Sequence, residues 1–171
     1  YASGGVWYSN TNGLRMEPVM DTAPTLNCGS VFVDWKSGMI LVGTGEINSS
    51  RSSYAGIGLL QSFDKGKTWK NIGLTDSHHI SKILVNPKNS QEIVVGVAGH
   101  LYTKNKERGV FKTTDGGKSW QQVLFVNDET GVIDMAVAES NFTVMYASAW
   151  QKDRKANNFN GNGKASGIYK S

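Results

Sequence analysis

The sequence repeats itself at intervals of about 50 residues. Two clear copies align without a gap, GLLQSFDKGKTW at 58–69 and GVFKTTDGGKSW at 109–120. A divergent copy, GVWYSNTNGLRM, lies at 5–16, and a truncated copy, GIYKS, lies at 167–171. The four copies begin 53, 51 and 58 residues apart. A repeat of this length predicts a protein built from similar units that pack on their neighbours.

Each complete unit contains four short segments with the character of β-strands. They are rich in β-branched and aromatic residues and are bounded by Gly, Asn and Asp, and no stretch has a convincing helical period. The strands predicted for the two complete units lie at 30–35, 39–43, 58–62 and 69–73, then at 80–85, 93–98, 109–113 and 120–125. The first unit adds 6–9 and 17–20, and the last adds 132–138, 143–149 and 167–171. Four antiparallel strands in about 50 residues have the size of one β-propeller blade.

The chain is therefore predicted to be all-β, an arc of about three four-stranded antiparallel blades. We predict a partial blade at 1–29 with strands 3 and 4, full blades at 30–77 and 78–130, and a partial blade at 131–171 with strands 1 to 3. Propellers close with typically 4 to 8 blades, so the arc is expected to be a fragment of a larger propeller. Its open ends are expected to be covered by the remaining blades or by another chain.

Composition excludes several other classes of protein. With 39% hydrophobic and 19% charged residues, the chain is expected to fold rather than to be disordered. A net charge of +4 without a dense lysine or arginine block does not suggest nucleic-acid binding. The apolar stretches are far shorter than the roughly 20 residues of a membrane helix, so no membrane span is expected. The single cysteine, Cys28, excludes an internal disulfide and a thiolate zinc site, and no cofactor is expected.

Both clear repeats carry the pattern [ST]xDxGxxW. It is formed by Ser62, Asp64, Gly66 and Trp69, and again by Thr113, Asp115, Gly117 and Trp120. A short carboxylate can accept hydrogen bonds from its own turn, a glycine supplies a positive φ, and a tryptophan buries a large ring against the sheet. Because each aspartate recurs at the same place in its blade, a structural role is favoured over a catalytic one. In the first repeat Thr11 replaces the aspartate and Met16 the tryptophan, so a looser turn is expected there.

The longest loops are predicted to share one face of the arc, because strand direction reverses at each hairpin. This loop face comprises 46–57, 75–79, 100–108, 127–131 and 151–166, and the aspartate turns lie on the opposite face. Long loops held by a rigid scaffold often bind ligands. The candidate binding residues are Glu46, Arg51, Tyr54, Asp76, His78, His100, Arg108 and Trp150, with Asn48, His79, Tyr102, Gln151 and Arg154 beside them. Aromatic rings among carboxylates, amides and guanidinium groups suit a sugar or a peptide equally.

Several of these residues also have a structural interpretation. Glu46 and Arg51 could form a salt bridge within their loop, and we favour that interpretation. His78 and His79 open a strand, where alternation points them in opposite directions, so no shared metal site is expected. His100 and Trp150 each follow the second strand of a blade, where blade packing competes evenly with ligand stacking. The polar run 152–164 is expected to be a mobile insertion with solvated charges.

The pattern [ST]xDxGxxW resembles the Asp-box, or bacterial neuraminidase repeat, of sialidases, sortilins and several secreted glycoside hydrolases. Longer phrases, namely VGTGEINSSRSSYAGIG, DSHHISKILVNPKN, ERGVFKTTDGGKSW and TGVIDMAVAESN, resemble a group of large secreted bacterial proteins with sortilin-like propellers, described as glycosyl hydrolases of the Asp-box type. This resemblance covers nearly the whole chain. It implies a secreted or cell-surface bacterial protein that acts on carbohydrate, in which this arc supplies scaffold and a binding surface for polysaccharide, protein or peptide on the loop face.

Catalytic residues are not identifiable from the sequence. A glycosidase normally needs two carboxyl groups across the scissile bond. The acids of the loop face are Glu46, Asp76, Asp128 and Glu129, and no spacing marks a pair among them. The arginine triad that resemblance to sialidases would imply cannot be assembled convincingly from Arg51, Arg108 and Arg154. The segment alone is therefore not expected to be catalytic. The alternatives are a non-catalytic module that binds protein or polysaccharide, as sortilin propellers bind peptides, and a structural subunit of a surface assembly.

Overall fold

The computed structural model describes residues 3–138 and 141–171. Within these ranges the chain forms β-strands and no helix, so no described helix could cross a membrane. The first sheet pairs β1 (Trp7–Tyr8) with β2 (Glu17–Pro18). The second sheet has the order β3 (Cys28–Asp34), β4 (Met39–Thr44), β5 (Leu59–Ser62) and β6 (Lys70–Asn71).

The third sheet repeats the order of the second. It consists of β7 (Ile80–Asn86), β8 (Asn89–Val97), β9 (Gly109–Thr113) and β10 (Gln121–Leu124). The fourth sheet has the order β11 (Thr130–Ala138), β12 (Asn141–Gln151) and β15 (Gly167–Lys170). Between β12 and β15 the chain forms a separate hairpin of β13 (Asp153–Arg154) and β14 (Phe159–Asn160). All paired strands are antiparallel. The predicted fold class, an all-β propeller arc of four-stranded sheets, is confirmed.

The third sheet is buried on both of its faces. Along β8, Ile93, Val95 and Val97 pack into a core shared with the second sheet, which includes Leu41 and Leu59. Val94 points the other way and packs against Val132 and Met135 of the fourth sheet. Because successive side chains of a strand point to opposite faces, a strand such as β8 that is buried on both faces needs a continuous run of apolar residues.

The first strands of consecutive sheets, β3, β7 and β11, lie next to one another. Each of them has a register shift opposite the second strand of its own sheet, at Gly29, Ser81 and Ile133. A Cβ atom on Gly29 would lie 2.2 Å from the Ile80 carbonyl oxygen. One sheet further on, Ser81 Oγ donates to the Val132 carbonyl at 2.6 Å. The bulges therefore bring the backbones of successive sheets into close contact at the same point of each repeat.

The turns at 62–69 and 113–120, which we call the aspartate turns, have the same hydrogen bonds. In the first, Asp64 Oδ1 accepts from the Thr68 amide at 2.9 Å, and its Oδ2 accepts from the Thr68 hydroxyl at 2.7 Å. Asp115 makes the equivalent bonds to Ser119 at 3.0 and 2.6 Å. These donors lower the pKa of both carboxyl groups, that of Asp64 to about 2. Each carboxylate is committed to its own turn.

The tryptophan that ends each aspartate turn binds the preceding sheet. Trp69 Nε1 donates to the Val19 carbonyl at 3.0 Å, and Trp120 Nε1 donates to the Ile72 carbonyl at 2.8 Å. Val19 lies three positions after Met16, and Ile72 lies three positions after Trp69, so the two acceptors have the same place in their repeats. The repeat thus contains both the donor and the acceptor of the contact between blades.

The divergent repeat retains part of the turn. Ser9 Oγ accepts from the Gly13 amide at 2.9 Å, and Thr11 Oγ1 accepts from the Arg15 amide at 2.8 Å. Thr11 has one side-chain oxygen where aspartate has two, so the second bond of the carboxylate has no counterpart.

Several predicted segments differ from the structure, and the strands expected at 6–9 and 17–20 are each only two residues long. The strand expected at 69–73 is only two residues long, because Gly73 and Leu74 have φ values of 117° and 58° and turn the chain away from the sheet. The run 152–164, expected to be a mobile insertion, contains the hairpin of β13 and β14.

We predict that Trp120→Phe lowers the free energy of unfolding by about 1–2 kcal/mol, because the Ile72 carbonyl loses its donor while the ring remains. The control is Trp35→Phe, since Trp35 is 82% exposed, and it should change stability by less than about 0.5 kcal/mol. Urea unfolding followed by circular dichroism measures both. Equal losses in the two variants would contradict this role for the indole.

Candidate functional site

The loops of the loop face are joined to one another by backbone hydrogen bonds. The Gly56 amide donates to the His78 carbonyl at 2.6 Å, which connects the long loop of the second sheet to the segment that enters the third. The Asn105 amide donates to the Asp128 carbonyl at 3.2 Å, and the Lys152 amide donates to the Glu129 carbonyl at 3.3 Å. The loops of three sheets therefore form one connected surface.

Arg108 holds the loop of the third sheet together from inside. Its side chain is buried, and its terminal nitrogens donate to the carbonyls of Ala98 at 2.8 Å, His100 at 2.7 Å and Thr103 at 2.9 Å. Burial lowers the pKa of the guanidinium group, and the charges of Asp128 and Glu129 oppose that shift. Because carbonyl oxygens occupy both terminal nitrogens, Arg108 organises the loop rather than facing a ligand.

A lysine and an arginine connect the loops of the second and fourth sheets. Lys152 Nζ donates to Ser49 Oγ at 2.6 Å, and Arg154 donates to the Ser49 carbonyl through Nε at 3.1 Å and through a terminal nitrogen at 2.7 Å. Ser49 has a φ of 52°, and its side chain is buried. Sequence reasoning missed this contact, whose partners are more than 100 residues apart.

The expectation that the charges of 152–164 are solvated is wrong for Lys152, which is 5% exposed. No carboxylate pairs with its ammonium group in the part of the chain that the structure describes. Burial, and then the charges of Arg108 and Arg154, lower its pKa to about 8. Alternation with Trp150 at the end of β12 is the one sequence signal that points Lys152 inward.

The loop that follows β4 contains three of the candidate residues, Glu46, Arg51 and Tyr54. The Glu46 amide donates to the Tyr54 carbonyl at 3.0 Å and closes the loop. The salt bridge favoured between Glu46 and Arg51 is not formed between these two described residues, so that prediction is wrong. The Tyr102 hydroxyl instead donates to the Arg51 carbonyl at 2.6 Å. Tyr54 and Tyr102 are 58% and 49% exposed, so two neighbouring, connected loops each present an aromatic ring.

Trp150 is packed by its own loop. Its Nε1 donates to the Gly161 carbonyl at 2.9 Å, and its ring meets Phe159 of β14 edge to face at 5.4 Å. The Arg154 guanidinium lies 4.1 Å from the Phe159 ring centroid. Neither predicted role, contact between blades or ligand stacking, describes these contacts, because the hairpin that covers Trp150 was not anticipated.

Asp76, His78 and His100 come together at the rim of the loop face. The His78 and His100 rings stack with centroids 3.6 Å apart and an interplanar angle of 15°. Asp76 Oδ1 lies 3.4 Å from His100 Nε2 and 3.8 Å from His78 Nε2. His79 is separate, because it is buried and its ring centroid lies 6.3 Å from that of His78.

We predict that Lys152→Met raises the free energy of unfolding near neutral pH by about 1–3 kcal/mol, since it removes a buried charge at the cost of one hydrogen bond. The folded pKa of Lys152, about 8, lies below the unfolded value of 10.5, so the unfolded chain binds more protons between them. The stability of the parent chain therefore rises with pH across this window, and its deficit relative to the variant shrinks. Thermal unfolding at several pH values measures this.

The control is Lys155→Met. Lys155 Nζ lies 3.5 Å from Asp153 Oδ2, and its side chain is 65% exposed. This variant should shift the melting temperature little at any pH. If Lys152→Met and Lys155→Met changed the melting temperature equally, burial of Lys152 would not be the cause of the stabilisation.

No protein-family model and no curated relative matches the sequence. Among solved structures, an ancestral GH74 enzyme matches with a TM-score of 0.67 and 21% identity, over 88% of this chain and 20% of its own. The GH74 xyloglucanase from Xanthomonas campestris matches with a TM-score of 0.57 and 18% identity, over 84% of this chain and 20% of its own. This chain thus spans about a fifth of the length of either enzyme. At these identities the likeness establishes the β-propeller fold.

Proposed function

We propose that this chain is an arc of a secreted or cell-surface bacterial propeller protein of the glycoside hydrolase type, and that its loop face binds polysaccharide. The observation that carries the proposal is the match to two GH74 enzymes over 88% and 84% of the chain. A fold alone does not fix a function, so the rest of the argument comes from this chain's own surface.

We assign the aspartate turns to the Asp-box type of sortilin-like propellers. Support comes from the repeated hydrogen bonds of Asp64 and Asp115 within their turns. Both carboxylates are on the face opposite the long loops and keep a lowered pKa, so they serve as fold determinants.

Tyr54 and Tyr102 support sugar binding. Aromatic faces with a few placed polar groups are typical of ligand sites. The hydrogen bond from the Tyr102 hydroxyl to the Arg51 carbonyl fixes one ring and joins the two loops, which reduces the entropy lost when a ligand binds. We assign both rings to stacking against sugar units.

The acids of this arc favour a binding role over a catalytic one. A glycosidase acid needs a raised pKa. Among the described residues, the carboxyl groups with a shifted pKa are all lowered: Asp34, Asp64, Glu92, Asp115, Glu129 and Asp134. Glu129, the one of these on the loop face, is bound by Lys104 at 2.8 Å and by Gln151 at 3.0 Å. Glu129 is therefore held by partners of its own, and we propose that the reacting carboxylates lie outside this arc.

The same observation favours a second candidate, a non-catalytic module that binds polysaccharide or peptide. It shares the fold and the loop face with the first candidate and differs only in turnover by the whole protein.

The open end of the fourth sheet is proposed to receive a further repeat, from the rest of a propeller or from another chain. An apolar groove there is lined by Leu124, Phe142, Met145 and Tyr169. Val123 stands three positions after Trp120, as Ile72 does after Trp69, so its carbonyl is the next acceptor in the series. We infer that the occupant is the tryptophan of an aspartate turn.

We predict that a copy of residues 114–125 appended after Ser171 raises the melting temperature by several degrees, because Ser171 is the counterpart of Thr113 and the copy completes the turn and a fourth strand. The matched control has alanine in place of the tryptophan of the appended copy. Differential scanning calorimetry compares the two. Equal melting temperatures would contradict the assigned occupant.

We predict that xyloglucan oligosaccharides bind the chain, and that Tyr54→Ala and Tyr102→Ala each weaken binding about threefold to tenfold through lost stacking. Isothermal titration calorimetry on the chain, and on any longer protein that contains it, measures this. Tyr102→Phe keeps the ring and should bind more tightly than Tyr102→Ala. Phe63→Ala is the control, because Phe63 is 62% exposed but belongs to an aspartate turn.

Two outcomes separate the candidates. Sugar binding without turnover by the longer protein would favour the non-catalytic module. Binding of peptides but of no glycan would overturn the polysaccharide proposal.

A further inference from the structure

Asp76, His78 and His100 place three potential metal-ligand atoms within 4.8 Å of one another. Two of them come from the segment that enters the third sheet, and the third comes from the loop after β8. The chain contains three histidines, and two of them are in this cluster. This convergence is a product of folding, because the sequence suggested only a pairing of His78 with its neighbour His79.

Thr103 holds Nδ1 of His100 in place. His100 Nδ1 lies 2.9 Å from Thr103 Oγ1, and Nε2 faces the Asp76 carbonyl at 3.1 Å and Asp76 Oδ1 at 3.4 Å. Because both oxygens that face Nε2 are acceptors, Nε2 carries the ring proton in the metal-free chain and Nδ1 accepts from the Thr103 hydroxyl. An ion at Nε2 would take the place of this proton, which moves to Nδ1 so that Nδ1 donates to Thr103 Oγ1. Metal-bound histidines commonly have such an outer partner on the other nitrogen.

The cluster places a carboxylate beside two imidazoles. Burial and then His100 lower the pKa of His78, and the charges of Asp76 and Glu107 oppose that shift. Asp76 is exposed, and among the described residues its carboxylate forms no salt bridge to a lysine or arginine. The Asp76 carboxylate therefore has His78 and His100 as its charge partners.

One ring must move for all three atoms to bind one ion. Stacked rings 3.6 Å apart direct their in-plane lone pairs side by side rather than at a common point. His78 is suited to turn, because its side chain is 35% exposed and makes no hydrogen bond within the described residues. His100, at 18% exposure and bound to Thr103, is the fixed partner.

We propose that Asp76, His78 and His100 form a binding site for a divalent transition-metal ion, with Zn²⁺ as the expected occupant. Two imidazole nitrogens and a carboxylate oxygen suit Zn²⁺, whereas Mg²⁺ and Ca²⁺ prefer oxygen ligands alone. Three protein ligands leave a position for water. The ion would join the 75–79 segment to the 100–108 loop and stabilise the folded chain by mass action. The proposal does not rest on sugar binding.

The first test is NMR on the unmodified, tag-free chain. Titration with Zn²⁺ should shift the imidazole nitrogen signals of His78 and His100 and leave those of His79 nearly unchanged, so that the third histidine is an internal control. Mg²⁺ should shift none of them. Equal shifts at all three histidines, or none, would overturn the proposal.

The second test is isothermal titration calorimetry with Zn²⁺ near neutral pH. We expect one ion per chain and at least a tenfold loss of affinity in each of His78→Ala, His100→Ala and Asp76→Asn. Asp128→Asn, a change on the same face outside the cluster, should bind as the parent chain does. Circular dichroism confirms that each variant folds. Unchanged affinity in folded His78→Ala and His100→Ala would also overturn the site.

Discussion

The burial of both faces of the two four-stranded sheets against their neighbours is the constraint on which the rest of the structure depends. In β8, Val94 and Val95 have opposite directions and both are fully buried, one against the fourth sheet and one against the second. Such a sheet is stable only between two others, so each repeat needs a neighbour. The indole bonds of Trp69 and Trp120 fix where those neighbours sit, because each donor reaches a backbone carbonyl of the preceding sheet.

The architecture could be predicted from the sequence because it is encoded locally and repeatedly. Short runs rich in apolar and β-branched residues at 80–85 and 93–98 indicate strands, and the spacing of Asp64, Gly66 and Trp69 indicates a turn whose bonds span only a few residues. Asp64 and Asp115 occupy the same position in the two clear copies of the repeat, which indicates a structural role for both. That reasoning assigned Asp115 to structure, in agreement with its four hydrogen bonds within the turn.

Much of the candidate site could not be predicted, because its contacts join residues far apart in the chain. Ser49 meets Lys152 only when the second and fourth sheets are in place, and the one local signal for Lys152, its alternation with Trp150, does not identify this partner. His78 reaches His100 because β7 and β8 are antiparallel, which brings the start of one strand beside the end of the other. The registers of these strands were needed before the neighbours of either histidine could be named.

The two faces of the arc differ in how their polar groups are satisfied. On the aspartate turns each carboxylate is bound within its own turn, so these turns have little capacity to recognise a ligand. On the loop face, three buried polar atoms lack a partner among the described residues: Ser77 Oγ, His79 Nδ1 and Arg108 Nε. A buried group without a partner costs about 1–3 kcal/mol, so folding alone does not favour this arrangement. The cost of these three groups falls on the same face that presents the exposed tyrosines and the histidine pair.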